Sequence, residues 1–186
     1  DADIDPISPY GCHKRQSELL CRDYTNLYGL KTCSMRVFSA YGPGLKKQLF
    51  WDLYQKTRRG NKIELLGTGN ESRDYIFIED VIYAFLAALL NMDQLNKKHF
   101  VLGSGEGNSI AKMVDEIIEQ VAQKTGVRVK VDSIQPPNGL SPIEARNFIA
   151  DSTSFSNITG WLPKYSLSKG ISQTIEAIYS SKNQIT

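Results

Sequence analysis

In the stretch SIAKMVDEIIEQVAQKTG the apolar residues Ile110, Met113, Val114, Ile117, Ile118 and Val121 recur at i, i+3, i+4, i+7, i+8 and i+11. That spacing puts all six on one face of a helix, and a helix with one apolar stripe must lay it against another element. Ser109 stands where an N-cap belongs, and Gly126 stands just past the end. Along the rest of the chain, helical and extended patterns alternate. Residues 10–28 carry Leu19, Leu20, Tyr24 and Leu27 near helical spacing, with Gly29 as a stop. TCSMRVFSAY then reads as one strand and the turn YGPG ends it, while KKQLFWDLYQKTRRG reads as a second helix closed by Gly60. Next come a short strand, KIELLG, a polar loop, TGNESR, and a strand, DYIFI.

The Ala/Leu-rich EDVIYAFLAALLNM predicts a largely buried helix starting near Asp80. HFVLGSG predicts a strand and turn, and VRVKVD alternates as a strand. SIQPPNGLSP predicts a loop, and a last helix is expected from about Leu167 to Ser180. Strands alternating with helices define an α/β fold class. A complete nucleotide-binding sheet opens on a strand, a glycine-rich turn and a helix, and no G-x-G-x-x-G follows a strand here. GTGNES lies between two strands and GSGEGN lacks the spacing, so both read as tight turns.

Composition excludes several classes of function. At 186 residues and 41% hydrophobic, the chain can bury one good core, or one domain and part of another. No apolar run approaches the roughly 20 residues that span a bilayer, and the first ten residues do not read as a signal peptide, so a cytoplasmic setting is expected. The three cysteines, Cys12, Cys21 and Cys33, form neither a C-x-x-C pair nor an even set, and they read as buried thiols. His13 and His99 have no partner at metal-ligand spacing, so no metal is expected. Lys46, Lys47, Lys56, Arg58, Arg59 and Lys62 gather positive charge, but a net charge of +2 favours a solvated helix face over nucleic-acid binding.

One spacing carries chemistry. Tyr10 and Lys14 in SPYGCHK are four residues apart on an expected helix, so both can face one bound molecule. A phenol with a pKa near 10 is a poor base at neutral pH, and a nearby ammonium favours its phenolate form. Tyr165 and Lys169 repeat the spacing, but they straddle the junction between GWLP and the last helix and read as a chance repeat.

SPYGCHK, RVFSAYGPG, GTGNESRDYIFIEDV, FVLGSGEGNSI and ITGWLPKYSLSKGI, in that order from Ser8 to Tyr179, resemble the C-terminal half of an extended short-chain dehydrogenase/reductase of the NAD-dependent nucleotide-sugar epimerase/dehydratase family. The resemblance implies the last part of a Rossmann-type doubly wound sheet plus a small α/β substrate-binding domain. Residues 1–41 would be the end of the NAD(P)-binding domain, and residues 42–186 mainly the substrate domain, with some segments returning to the first. The glycine-rich half would lie outside this chain, and the 186 residues alone are expected to be catalytically silent.

The resemblance also assigns roles. Tyr10 would be the general acid or base at the sugar, Lys14 would hold the nicotinamide ribose, and Phe38 would lie where the backbone approaches the nicotinamide. Ser39 stands where relatives usually carry an Asn against the substrate. Lys47 and Leu66 align with nucleotide-sugar contacts, and Arg73 with the diphosphate-binding arginine, a task its bidentate donors suit. The family's later Arg-x-Gly-Asp contact is replaced by SPIE, and Arg146 is the candidate substitute. The expected cofactor is NAD or NADP and the expected partner a nucleoside-diphosphate sugar, with a homodimer in the full-length parent, no nucleic acid and no membrane. The activity implied is hydride transfer at the sugar in an epimerase or dehydratase. An NADPH-dependent nucleotide-4-keto-sugar reductase and a non-catalytic binding relative are the alternatives.

Overall fold

The computed structural model describes residues 5–60, 62–135 and 147–183. Its elements are α1 (Pro9–Tyr28), β1 (Ser34–Val37), β2 (Ser39–Tyr41), α2 (Gln48–Arg58), β3 (Ile63–Leu66), β4 (Ser72–Phe77), α3 (Ile78–Leu90), α4 (Met92–Leu95), β5 (His99–Leu102), β6 (Gly107–Ser109), α5 (Ile110–Thr125), β7 (Val131–Ile134), α6 (Thr153–Thr159) and α7 (Leu167–Asn183). The architecture is α/β with parallel strand pairing, as the alternation requires. Among the described residues no helix is long and apolar enough to cross a membrane.

Local chemistry starts and stops the helices. The Ser8 side chain accepts a hydrogen bond from the Gly11 amide at 3.1 Å, Pro9 occupies the first turn, and α1 ends at Gly29 in the left-handed region. In α5, Ser109 accepts from the Lys112 amide at 3.1 Å, and Met113, Val114, Ile117, Ile118 and Val121 are all buried. Each such side chain contributes about 1.5–3 kcal/mol by burial. Two strand expectations are corrected. TCSMRVFSAY divides at Phe38: β1 pairs in parallel with β5, whereas β2 pairs in parallel with β4. The run VRVKVD buries only Val129, and the strand shifts to Val131–Ile134 because β7 takes its register from β3. GSGEGN was expected to be only a turn, but Gly107 and Asn108 begin β6, antiparallel to β4.

Strand β4 divides two cores. Tyr75 and Phe77 pack with α2, α5 and α7 around Tyr54, Ile117 and Ile171, while Ile76 packs with α3, β5 and α6 around Leu102, Phe155 and Trp161. The period-2 alternation of a strand permits this, since successive side chains point to opposite faces. Helix α3 is not largely buried: only Asp80, Val81, Ala84 and Ala88 are, whereas Ile82, Tyr83, Phe85, Leu86, Leu89 and Leu90 are between 50% and 85% exposed. Its packed stripe is narrow because small alanines face the core. The cysteines also differ from expectation, with Cys12 exposed and Cys21 and Cys33 half-buried.

Helix α1 is pinned to β1 by charge more than by apolar burial, since Thr25 alone is fully buried in it. Arg36 donates to the two Glu18 oxygens at 2.6 and 2.8 Å. The Arg36 hydrogen bond holds the Glu18 carboxyl below its ordinary range, opposed by burial and helped by the Arg36 charge, a hydrogen bond from Arg15 and the His99 charge. A lowered folded value stabilises the fold above the unfolded pKa and loses that contribution as pH falls through the folded one. In the protein that carries this chain, Glu18→Gln should cost about 1–2 kcal/mol at neutral pH, read by urea unfolding, and the gap to wild type should close as pH drops below the ordinary glutamate value of about 4.5.

Candidate functional site

The change of partner between β1 and β2 opens the site. Where neighbouring strands of a parallel arrangement diverge, a crevice forms beyond their carboxyl ends. A cleft of about 980 Å³ lies there, at the upper end of the usual size for a ligand site. Its walls come from Phe38 and Ser39 at the crossover, from the Gly42–Leu45 turn, from Tyr10 on α1, from Arg73 and Asp74 on β4, and from Phe148. The turn sits close against α3: a Cβ on Gly42 would lie 2.3 Å from the Ile78 Cγ2. The Phe38 and Phe148 rings lie 6.1 Å apart at its wall.

Asp74, 1% exposed, organises this wall. One carboxylate oxygen accepts from the Ser104 amide and hydroxyl, both at 2.7 Å, and the other accepts from the Gly105 amide at 2.9 Å and the Ala150 amide at 3.1 Å. It thereby ties β4 to the loop after β5 and to the segment that carries Phe148, which bridges to Arg73 in parallel. The approach leaves no room at Gly103, where a Cβ would stand 2.5 Å from the Asp74 Oδ2. Sequence reasoning singled out Arg73 and passed over Asp74. The signal available was an acidic residue inside the strand DYIFI, which a burial argument would mark as needing donors.

Tyr10, Phe38, Ser39 and Arg73 line the cleft together. Tyr10 is 71% exposed, Ser39 is exposed, and Phe38 and Arg73 are half-buried. Lys14 lies one turn along α1 with its ammonium 5.3 Å over the centre of the Tyr10 ring. Lys47 is exposed at the head of α2, beside Gln48, which does line the cleft. Leu66 ends β3 opposite Ile134, in a separate sheet and away from the cleft walls. Arg146 lies outside the described residues. Gln48 and Phe148 were not foreseen.

Two tyrosines line the cleft, and their surroundings differ. The Tyr41 hydroxyl is buried and donates to the Leu167 carbonyl at 3.1 Å, and burial, then the nearby Asp80 charge, pushes that phenol well above its ordinary range. Tyr41 is held as a neutral donor, which leaves Tyr10 as the phenol presented to solvent. The Tyr165–Lys169 pair shows the same cation–π contact, at 4.5 Å, but the Tyr165 hydroxyl donates to Glu79 and its amide to Asp80 at 3.1 Å. Tyr165 closes the end of α3.

Residues 1–103 match the NAD dependent epimerase/dehydratase family, and the chain belongs to it. It is similar to the UDP-glucuronate 4-epimerase of Thermodesulfobacterium geofontis, 27% identical over 173 residues that make up 91% of this chain and 50% of the relative. It is also similar to the UDP-glucose 4-epimerase of Mycolicibacterium smegmatis, 26% identical across 99% of this chain and 56% of that protein. Among solved structures, the UDP-glucose 4-epimerase of Thermotoga maritima with UDP-glucose superposes with a TM-score of 0.79 at 27% identity, over 96% of this chain and 55% of that one. The chain thus spans about half the length of the relatives it matches.

Asp74→Ala should strand three amides, the buried Ala150 amide among them, and the Ser104 hydroxyl at once. In the protein that carries this chain it is expected to lower stability by about 3 kcal/mol or more, seen as a drop in the urea midpoint, and Gly103→Ala should do the same through the clash with Asp74.

Proposed function

We propose that this chain supplies the Tyr/Lys pair and the nucleotide-sugar cleft of an NAD(P)-dependent epimerase or dehydratase that works on nucleoside-diphosphate sugars by hydride transfer. The observation that carries the reading is the convergence of Tyr10, Phe38, Ser39 and Arg73 on one cleft at the carboxyl ends of β1 and β2. Tyr10 takes the proton from a sugar hydroxyl as that carbon becomes a ketone, and gives it back when the alcohol re-forms. Lys14 keeps a positive charge beside the phenol and holds the ribose next to the nicotinamide. Arg73 grips the diphosphate and so sets where the sugar lies relative to Tyr10. Ser39 and Lys47 approach the sugar and its nucleotide.

The residues present suit the nicotinamide end of the cofactor: the exposed phenol of Tyr10 and Phe38 just past β1 border the cleft, and Lys14 lies one turn along α1 over the Tyr10 ring. Bound there, NAD or NADP supplies acceptance and return of the hydride. The glycine-rich turn for its pyrophosphate belongs to polypeptide beyond these residues. The exposed apolar residues of α3 support that reading, because an apolar face of this size needs cover. We read residues 1–41 as the end of the cofactor domain. The core that joins β1 and β5 with α3 and α6 supports the return of later segments to it. Leu20, Tyr24 and Leu27, exposed on α1, support self-association of the parent.

In the protein that carries this chain, Tyr10→Phe should cut kcat by about 10²–10⁴-fold while sparing substrate affinity. Arg73→Ala should act mainly on KM, by about 1.5–3 kcal/mol. A Tyr10→Phe enzyme keeping more than about half its rate would remove Tyr10 from the chemistry. Steady-state assays with nucleotide hexoses should show product without net change in reduced-cofactor absorbance. Stoichiometric loss of NADPH with nucleotide 4-keto sugars, and no product from the hexoses, would make the protein a ketoreductase instead.

A further inference from the structure

Helix α1 carries Tyr10 and Lys14, yet Thr25 is its one fully buried residue. Among the described residues, two sets of side-chain hydrogen bonds join it to the chain that forms β1. Toward its C-terminal end, the Thr25 and Thr32 hydroxyls lie 2.7 Å apart, and Thr32 donates to the Cys21 carbonyl at 3.1 Å. Midway, Arg36 closes a two-pronged pair on Glu18, Nε to Oε1 at 2.6 Å and Nη2 to Oε2 at 2.8 Å. The Glu18 side chain is 14% exposed and that of Arg36 35%, so water screens this pair less than the surface pairs of the chain. Arg15 adds a third donor to Glu18 at 3.3 Å.

Position gives the pair leverage. Tyr10, Lys14 and Glu18 recur at i, i+4 and i+8, so the face that holds the strand is the face that carries the phenol. A rod held at Thr25 alone can pivot, and a second hold at Glu18 fixes its direction. From Thr25 to Tyr10 is about 22 Å of helix, so a tilt of about 5° moves the phenol by about 2 Å. A misplacement of about 1 Å can lower a rate on the order of 10²-fold. The strand end of the pair is firm, because Arg36 lies inside β1, which pairs with β5 from Ser34 to Val37. From Arg36 the chain runs directly into Val37, Phe38 and Ser39 of the cleft wall. A guanidinium fork on a carboxylate fixes rotation as well as distance, which a point charge does not.

We propose that Glu18 and Arg36 are positioning residues: their two-pronged pair sets the direction of α1 on β1 and so holds the Tyr10 hydroxyl at working distance from the sugar in the cleft. The proposal rests on the role given to Tyr10 above and adds the device that aims it. Lys14 rides on the same helix, so its contact with the Tyr10 ring does not depend on the pair.

The test is steady-state kinetics of the protein that carries this chain, as wild type, Arg36→Ala, Arg36→Lys and Tyr10→Phe, with UDP-glucose, UDP-glucuronate and dTDP-glucose, well below each variant's melting temperature. Arg36→Ala should lower kcat by about 10- to 100-fold per folded molecule and leave KM unchanged, since Arg73 grips the substrate from another strand. Arg36→Lys keeps the charge without the fork and should still lose about 10-fold. The pH at which kcat turns should stay where it is in wild type, because Lys14 travels with Tyr10. A readout free of turnover uses spin labels on Cys12, exposed near the start of α1, and on Glu119→Cys of α5, with Cys21→Ser and Cys33→Ser. Arg36→Ala should shift or broaden that distance by about 2 Å or more.

Full kcat with a lowered melting temperature, or a label distance as narrow as in wild type, would overturn the proposal and assign the pair to the fold alone. A fall in kcat with a displaced pH limb would overturn it too, since the pair would then act on the charge of the phenol. Either result leaves the role of Tyr10 standing. Tyr10→Phe at full rate, or wild type that turns over none of these sugars, would bring down the functional reading and the positioning role with it.

Discussion

A carboxylate with almost no access to water and four donors around it is the constraint on which the candidate site depends. Asp74 lies inside a strand, where its neighbours alternate between two cores, and it reaches the loop after β5 and the segment leading to α6. An unpaired buried carboxylate is among the costliest groups a fold can hold. Those three amides and the Ser104 hydroxyl therefore have to converge on it, and the convergence sets the position of everything attached to them. Arg73 precedes it on the opposite face, and Phe148 pairs beside Arg73. The tight approach at Gly103 is the same constraint seen from the loop.

Around that clasp the molecule assigns different tasks to similar side chains through burial. Tyr41 and Tyr10 border the cleft and Tyr75 a smaller cavity beside it, but burial raises the phenols of Tyr41 and Tyr75 and leaves them as neutral donors, while Tyr10 stands in the open. The two Tyr/Lys pairs make the same point. Both place an ammonium over a ring, but Tyr165 spends its hydroxyl on Glu79 at the head of α3, whereas Tyr10 faces the cleft. Asp80 adds to the closure of that end, accepting from the Lys164 amide at 2.9 Å. Its carboxyl is raised by burial, against the two backbone hydrogen bonds that favour its charge.

Much of the candidate site was legible before any tertiary contact was known, because the features that carry it are local. Tyr10 and Lys14 share a helix face by spacing alone, and the turn after Tyr41 is spelled by Gly and Pro. Gln48, Asp74, Tyr75 and Phe148 were not legible, because each matters through a partner distant in sequence. Nothing in the order of residues says that Asp74 meets Ser104 and Ala150, or that the Tyr75 hydroxyl meets no acceptor among the described residues. Leu66 illustrates the converse. The resemblance aligns it with a nucleotide-sugar contact, and the pairing of β3 with β7 places it in a sheet apart from the cleft walls.

Taken by itself, the sequence determined the five longer helices, the α/β class and the Tyr/Lys spacing, since caps, apolar periodicity and turn residues act over a few positions and need no distant partner. The tertiary structure decided where strands found their mates. It broke one continuous extended run at Phe38 into strands of two sheets, and moved the VRVKVD strand to Val131–Ile134. It also decided which apolar residues are covered. The sequence predicts that α3 is largely buried, but alanines make its packed stripe, and its large side chains face away from the core. The reason is the same in each case: an extended backbone or an apolar face is satisfied by whatever surface the rest of the chain brings to it, and that surface is not encoded at the site of the residue itself.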